Sequence, residues 1–200
     1  MIKSDYLNPL ISTKLISLNF YFNEMLNLYD TKNFPKVLLL NGTKGIGKFT
    51  LVIHFLNYIY SKSEKTPYNV RDKVINTDSI FYNSLLYQTA QDVLFIKAEE
   101  NKNIKIEDIR NLKSTLSRSS LSNNPRFTII DEVEFLNDSS VNALLKTLEE
   151  PSNNNYFILI NNKQADLIKT ISSRCLKSNI FLNLEQRKEV INFLIQSSGA

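Results

Sequence analysis

Residues 41–50 read NGTKGIGKFT, and the spacing G-x-x-x-x-G-K runs from Gly42 to Lys48. In that pattern successive backbone N–H groups can curl round a phosphate, a helix N-terminus adds positive potential, and Lys48 supplies a full charge. Three of the four glycines in the chain, Gly42, Gly45 and Gly47, fall inside these ten residues. Glycine is concentrated where the backbone must turn tightly and approach something closely. The flanks support the same reading: KVLLL (36–40) is a short apolar run of strand type, and KFTLVIHFLNYIY (48–60) is a helix apolar on almost every side. One position departs. Phe49 stands where a Ser or Thr hydroxyl would ligate magnesium, and Thr50 comes one residue late, about 100° further round the helix. Hydrolysis is expected to suffer from this more than binding.

Outward from the loop, strand and helix patterns alternate. DVLFI (92–96), RFTII (126–130), YFILI (156–160) and NIFL (179–182) read as further strands. IEDIRNLKSTL (106–116), DSSVNALLKTLEE (138–150), the short ADLIKTI (165–171) and NLEQRKEVINFLI (183–195) read as helices. Upstream, apolar residues at helical spacing suggest an opening helix over residues 10–27. Residues 61–91 are polar and weakly periodic, an insertion with a short helix near SIFYNSLLY (79–87). The alternation implies an α/β domain with a mostly parallel sheet of five strands covered by helices, and ligands in such sheets bind at the carboxyl ends of the strands.

Composition removes several classes of chemistry. Cys175 is the only cysteine and His54 the only histidine, which argues against a disulfide, a multi-cysteine zinc site or a histidine-based triad; no metal site is expected. His54 reads as a hydrogen-bonded core residue. A formal charge of +4 without a dense basic run allows nucleic-acid contact but does not demand it. No apolar run approaches the roughly 20 residues that span a bilayer, and the first ten residues are too polar for a signal peptide, so a cytoplasmic location is expected.

Three further motifs carry chemistry. RFTIIDEVEFLN (126–137) is an apolar strand ending in Asp131 and Glu132, similar to a Walker B motif, in which the first carboxylate can hold a metal through water and the second can orient a water. In VNALLKTLEEP (141–151) the stripe Val141, Leu144, Leu145 and Leu148 is a core face, while Glu149 and Glu150 sit at the negative end of the helix, disfavoured by roughly 0.3–1 kcal/mol per charge. A basic partner would explain that placement; solvent exposure explains it equally well. In TISSRC (170–175), Arg174 could project from the surface towards another molecule or be merely solvated.

GTKGIGK, IIDEVEFLN, NALLKTLEEP and TISSRC occur in the order seen in bacterial DNA polymerase clamp loader subunits, members of the AAA+ family, and KIEDIRNL (105–112) resembles the segment that precedes Walker B there. The resemblance covers about residues 34–175, and the LEEP and SRC stretches are its most specific parts. It implies an AAA+ type P-loop fold over residues 1–182, with the insertion 61–91 lacking the zinc cysteines of many relatives, and the start of a helical lid over 183–200. Phe49 makes the chain most similar to the delta-prime type, whose subunits typically do not hydrolyse ATP themselves. The resemblance then implies an SRC motif of Ser173, Arg174 and Cys175, with Arg174 reaching the ATP of a neighbouring subunit. It also puts Asn161 and Asn162 in the region of the sensor 1 residue. ATP and Mg²⁺ binding is expected to be weak or absent. The implied partners are other clamp loader subunits and, through them, the sliding clamp and primer–template DNA, with no membrane partner. A working ATPase subunit of gamma or tau type is the main alternative, and a P-loop nucleotide kinase a remote one.

Overall fold

The computed structural model describes residues 8–98, 103–117, 124–152, 154–162 and 169–198. The chain divides into two units. One comprises Pro35–Lys44 and Gln91–Ile180, the other Met1–Phe34, Gly45–Ala90 and Phe181–Ala200.

The first of these holds a five-stranded sheet. Strands β1 (Val37–Asn41), β2 (Val93–Lys97), β3 (Arg126–Asp131), β4 (Asn155–Asn161) and β5 (Leu176–Asn179) lie in the order β2-β3-β4-β1-β5, every pair parallel. The inner strands β1, β3 and β4 are buried along almost their whole length, the continuous apolar run that a parallel sheet covered on both faces requires. Helices α4 (Ile106–Ser117) and α5 (Asp138–Glu149) pack on one face, where Ile109, Leu112, Val141, Leu144 and Leu148 meet Val37, Leu39, Ile130, Phe157 and Leu159. Leu145, expected in the same stripe, is partly buried against this core. Both helices begin as the sequence dictates. Asn137 caps α5 by accepting the Ser140 N–H at 2.9 Å, and Glu107 and Asp108 fill the first turn of α4.

Register fixes what the carboxyl ends of the strands present. Asp131 lies beside Lys97 on one side and Ile160 on the other, and Asn41 lies between Asn161 and Asn179. The fifth strand corrects the sequence reading: it is Leu176–Asn179, not residues 179–182. Among the described residues β5 pairs only with β1 at the sheet edge and is mostly exposed, so it lacks the apolar run that marks an inner strand. The apolar residues that follow, Ile180 and Leu182, are buried beyond its end. Of the helix expected over 165–171, residues 165–168 lie outside the described residues, and α6 occupies Lys169–Ser172.

The other unit is helical. It contains α1 (Asn19–Asp30), α2 (Lys48–Ser61), α3 (Ile80–Leu86) and α7 (Leu184–Ser198). α2 is buried on nearly every side, and Phe55 stacks on Phe34 at 4.9 Å between ring centroids while meeting Tyr29 edge-on at 5.8 Å. The first helix starts later than the periodicity suggested, at Asn19 instead of about residue 10. Residues 13–15 are drawn into extended pairing with the insertion: Ile75 N–H donates to Thr13 O at 2.8 Å and Leu15 N–H to Lys73 O at 3.0 Å. The insertion supplies its own apolar contacts through Tyr68, Ile75, Phe81, Tyr82 and Leu85, and its short helix α3 is capped by Ser79 and by Glu64, whose two carboxylate oxygens accept the Ile80 and Phe81 N–H groups at 2.8 Å each. α7 is tied to the segment before α1: Ser17 Oγ donates to Glu189 Oε2 at 2.5 Å, and Gln186 Nε2 donates to Ser17 O at 3.2 Å. Among the described residues no helix is long and apolar enough to cross a membrane.

Candidate functional site

The loop 41–50 leaves the carboxyl end of β1 and opens α2. Gly42 N–H donates to Asn161 O at 3.2 Å, extending the β1–β4 pairing by one bond. Gly45 and Gly47 have φ of +85° and +92°, a region that L side chains rarely adopt, and a Cβ on Gly47 would stand 3.0 Å from Leu18 Cδ1. These two positions give the loop its curl. α2 then begins at Lys48, which is buried, with half-buried Phe49 and Thr50 in its first turn.

Asp131 ends β3 at the centre of the acidic cluster. Its Oδ1 accepts the Glu132 backbone N–H at 2.9 Å, and Asn162 Nδ2 lies 3.5 Å from the same oxygen. Burial pushes the Asp131 carboxyl above the usual aspartate range, against the opposing effect of Lys97, its register neighbour on β2. Glu132 follows in the left-handed region, φ +58° and ψ +45°, which for a residue with a Cβ costs on the order of 1–2 kcal/mol. Its side chain is turned to Lys44 of the glycine loop: Nζ to Oε1 is 2.6 Å, with the lysine side chain 74% exposed and the glutamate 9%. The hydrogen bond and charge of Glu132, with smaller contributions from Asp131 and Glu134, raise the Lys44 pKa above the ordinary lysine value.

The two asparagines expected near sensor 1 have different surroundings. Asn161 Nδ2 donates to Asn41 Oδ1 at 3.1 Å, and Asn41 Nδ2 donates on to Asn179 Oδ1 at 3.3 Å, an amide ladder across the ends of β4, β1 and β5. Asn162 turns to the acids, with its backbone N–H donating to Glu134 Oε2 at 3.2 Å and its amide near Asp131. Geometry thus separates what spacing alone left joined: Asn162 is the one beside the Asp131 carboxylate.

Arg174 follows α6. Its Nε donates to Glu149 Oε1 at 2.8 Å and its Nη2 to the same oxygen, while Nη1 donates to Thr170 O at 2.6 Å and to Ser173 Oγ at 3.3 Å. Of the two explanations left open for Glu149, both hold in part: it meets a basic partner within its own chain, and its side chain stays 46% exposed. Cys175 is half-buried, its Sγ 3.1 Å from Ile171 O, and burial raises its thiol pKa to about 11. His54 is fully buried. Its Nε2 donates to Ser12 O at 3.0 Å, which leaves Nδ1 to accept from the Tyr68 hydroxyl at 2.9 Å. Sequence reasoning missed Lys44 and Lys97. Lys44 occupies one of the unspecified positions of the G-x-x-x-x-G-K pattern, and Lys97 falls one residue past the apolar run 92–96.

A magnesium ion is what this class of site ordinarily recruits, held by a loop hydroxyl and the Walker B aspartate. The residues fit it poorly, each taken by itself: the motif has Phe49, without a side-chain oxygen, at the hydroxyl position, and at the end of β3 Glu132, next to Asp131, is ion-paired to Lys44.

A parallel sheet in the order β2-β3-β4-β1-β5, with the glycine loop after β1 and the acid pair at the end of β3, is the P-loop fold of the AAA+ proteins. Its likeness extends to the RuvB Holliday junction branch migration motor of Thermotoga maritima, at a TM-score of 0.56 and 16% identity over 96% of this chain and 56% of that one. Residues 19–182 match the family described as DNA polymerase III, delta subunit, and the chain belongs to that family. Among its relatives in Buchnera aphidicola subsp. Schizaphis graminum, DNA polymerase III subunit gamma is 28% identical over 181 residues, 90% of this chain and 47% of the relative. Subunit delta' of the same organism is 28% identical over 173 residues, 86% of this chain and 50% of the relative. The chain spans about half the length of these curated relatives.

Proposed function

We propose that this chain acts in DNA replication as a delta-prime-type subunit of the DNA polymerase III clamp loader. It does not hydrolyse ATP itself, and it offers Arg174 to nucleotide bound by a neighbouring subunit. The observation that carries this reading is Phe49. The loop keeps the turn-forming Gly45 and Gly47 and the helix-opening Lys48, yet the residue after Lys48 has no oxygen for a metal ion. A subunit of this kind contributes to turnover by positioning a cation, and an arginine supplied in trans is worth about 10³–10⁵ in rate in phosphoryl transfer. Other clamp loader subunits are the direct partners in this reading, with the sliding clamp and primer–template DNA engaged through the complex. α7 then opens the helical lid. The test is reconstitution with Arg174→Ala: DNA-stimulated ATP hydrolysis by the assembled loader should fall at least about a hundredfold at the affected site, and unchanged hydrolysis refutes the role in trans.

A second reading is favoured by the equal identity to the gamma and delta' relatives, 28% to each. In it the chain is a working ATPase in which Lys48, Asp131 and Glu132 act directly. Robust Mg²⁺-dependent turnover by the isolated chain would establish this and exclude the first.

A further inference from the structure

At the end of β3, Glu132 of the acidic pair Asp131–Glu132 meets a lysine of the glycine loop. Lys44 Nζ stands 2.6 Å from Glu132 Oε1, and its ammonium also interacts with the charges of Asp131 and Glu134. Lys97, in register with Asp131, brings a second lysine to the same strand end. The backbone is committed to this arrangement: Glu132 takes a left-handed conformation and starts the 3-10 turn Val133–Phe135, whose Phe135 N–H donates to Glu132 O at 2.9 Å. Lys44 is set on the facing loop, after β1 and ahead of Gly45.

We propose that Lys44 is a tethered cation that neutralises the Asp131–Glu132 carboxylates in place of a divalent metal ion, so that the loop takes nucleoside polyphosphate in its metal-free form. The second clause rests on the reading of residues 42–50 as a phosphate site; the first does not. The physical case is one of competition. A divalent ion at these carboxylates would have to displace an ammonium already within charge-assisted hydrogen-bonding distance and then sit beside it, two cations sharing one small volume. In the glycine loop itself, the position after Lys48 carries Phe49, which has no side-chain oxygen of the kind that holds a metal ion.

The experiment uses the full chain and two probes. In the first arm, Mn²⁺ alone is titrated and its free signal followed by electron paramagnetic resonance, for the unaltered chain, Lys44→Met and Lys44→Arg. Lys44→Met should bind Mn²⁺ at least about tenfold more tightly than the unaltered chain, since a unit positive charge has been removed from beside the ion, and Lys44→Arg should behave as the unaltered chain. Equal affinity in the unaltered chain and Lys44→Met, or binding by neither, overturns the proposal. Circular dichroism checks that the variants fold, which the exposure of the Lys44 side chain favours. In the second arm, ADP and ATP are titrated by calorimetry in chelator and in excess MgCl₂. Magnesium should weaken the apparent affinity, because it depletes the metal-free ligand; tightening by magnesium overturns the metal-free preference. Absence of nucleotide binding in both conditions refutes the phosphate-site reading, while the Mn²⁺ arm still decides the role of Lys44.

Discussion

Arg174 spends two of its guanidinium N–H groups on one oxygen of Glu149, Nε at 2.8 Å and Nη2 on the same Oε1. This is not the parallel fork in which each nitrogen meets its own carboxylate oxygen, and both side chains keep substantial exposure, 31% and 46%. A double-mutant cycle over Arg174→Ala and Glu149→Ala should therefore give a coupling of only about 0.2–1 kcal/mol in urea unfolding. A much larger coupling would mean that the pair holds the fold together and is not an accessory to a surface arginine.

Backbone conformation orders the glycine variants. Gly45 and Gly47 both have positive φ, so alanine at either should cost on the order of 1 kcal/mol. A Cβ on Gly45 meets nothing within 4 Å, whereas one on Gly47 meets Leu18 at 3.0 Å, so Gly47→Ala should be the more destabilising. Equal losses in thermal unfolding would contradict this geometry.

Glu132 should show the same conformational cost from the other side. Replacing it by glycine and by alanine removes the same contact with Lys44, but only glycine accepts φ +58° without a Cβ penalty. Glu132→Gly should thus be more stable than Glu132→Ala by about 1 kcal/mol, the reverse of the usual ranking. An alanine variant as stable as the glycine variant would show that the left-handed conformation relaxes at little cost.

What could be read beforehand follows from locality. The inner strands and α2, α4 and α5 carry their pattern within a dozen residues, and Phe49 is visible as a departure within a ten-residue motif. β5 lies outside that reach because an edge strand paired on one side has no apolar run to announce it. The start of α1 lies outside it too, because residues 13–15 pair with residues 73–75, some 60 positions away in the chain. The same limit applies to the site. Glu149 and Arg174 were each singled out by position, yet that they meet depends on where α5 ends and α6 begins. Lys44 acquires meaning only once register and the left-handed Glu132 bring a carboxylate to it.

Cys175 should be an unreactive thiol. Burial raises its pKa from 9.0 to about 11, so near neutral pH it carries roughly a hundredfold less thiolate than an ordinary cysteine. Reaction with a disulfide reagent should accordingly be slow in the native chain and accelerate at least about tenfold in urea. Equal rates in the two states would mean that the thiol is open to solvent and not shielded beside Ile171.

His54 sets the acid side of stability. Its folded pKa is lowered from 6.5 to about 4 by burial, partly opposed by the Ser12 carbonyl, so the unfolded chain binds a proton that the folded chain refuses. The sign follows from linkage: this contribution is constant above the unfolded value and is lost as pH falls from about 6.5 towards 4. At about pH 5 the loss should reach roughly 2 kcal/mol relative to pH 7.5, because each unit below the unfolded value costs about 1.4 kcal/mol. Urea unfolding at the two pH values measures it. His54→Gln, which keeps a donor towards Ser12 but cannot take up the proton, should be nearly flat over the same interval; a variant as acid-sensitive as the parent would place the effect among the carboxylates instead.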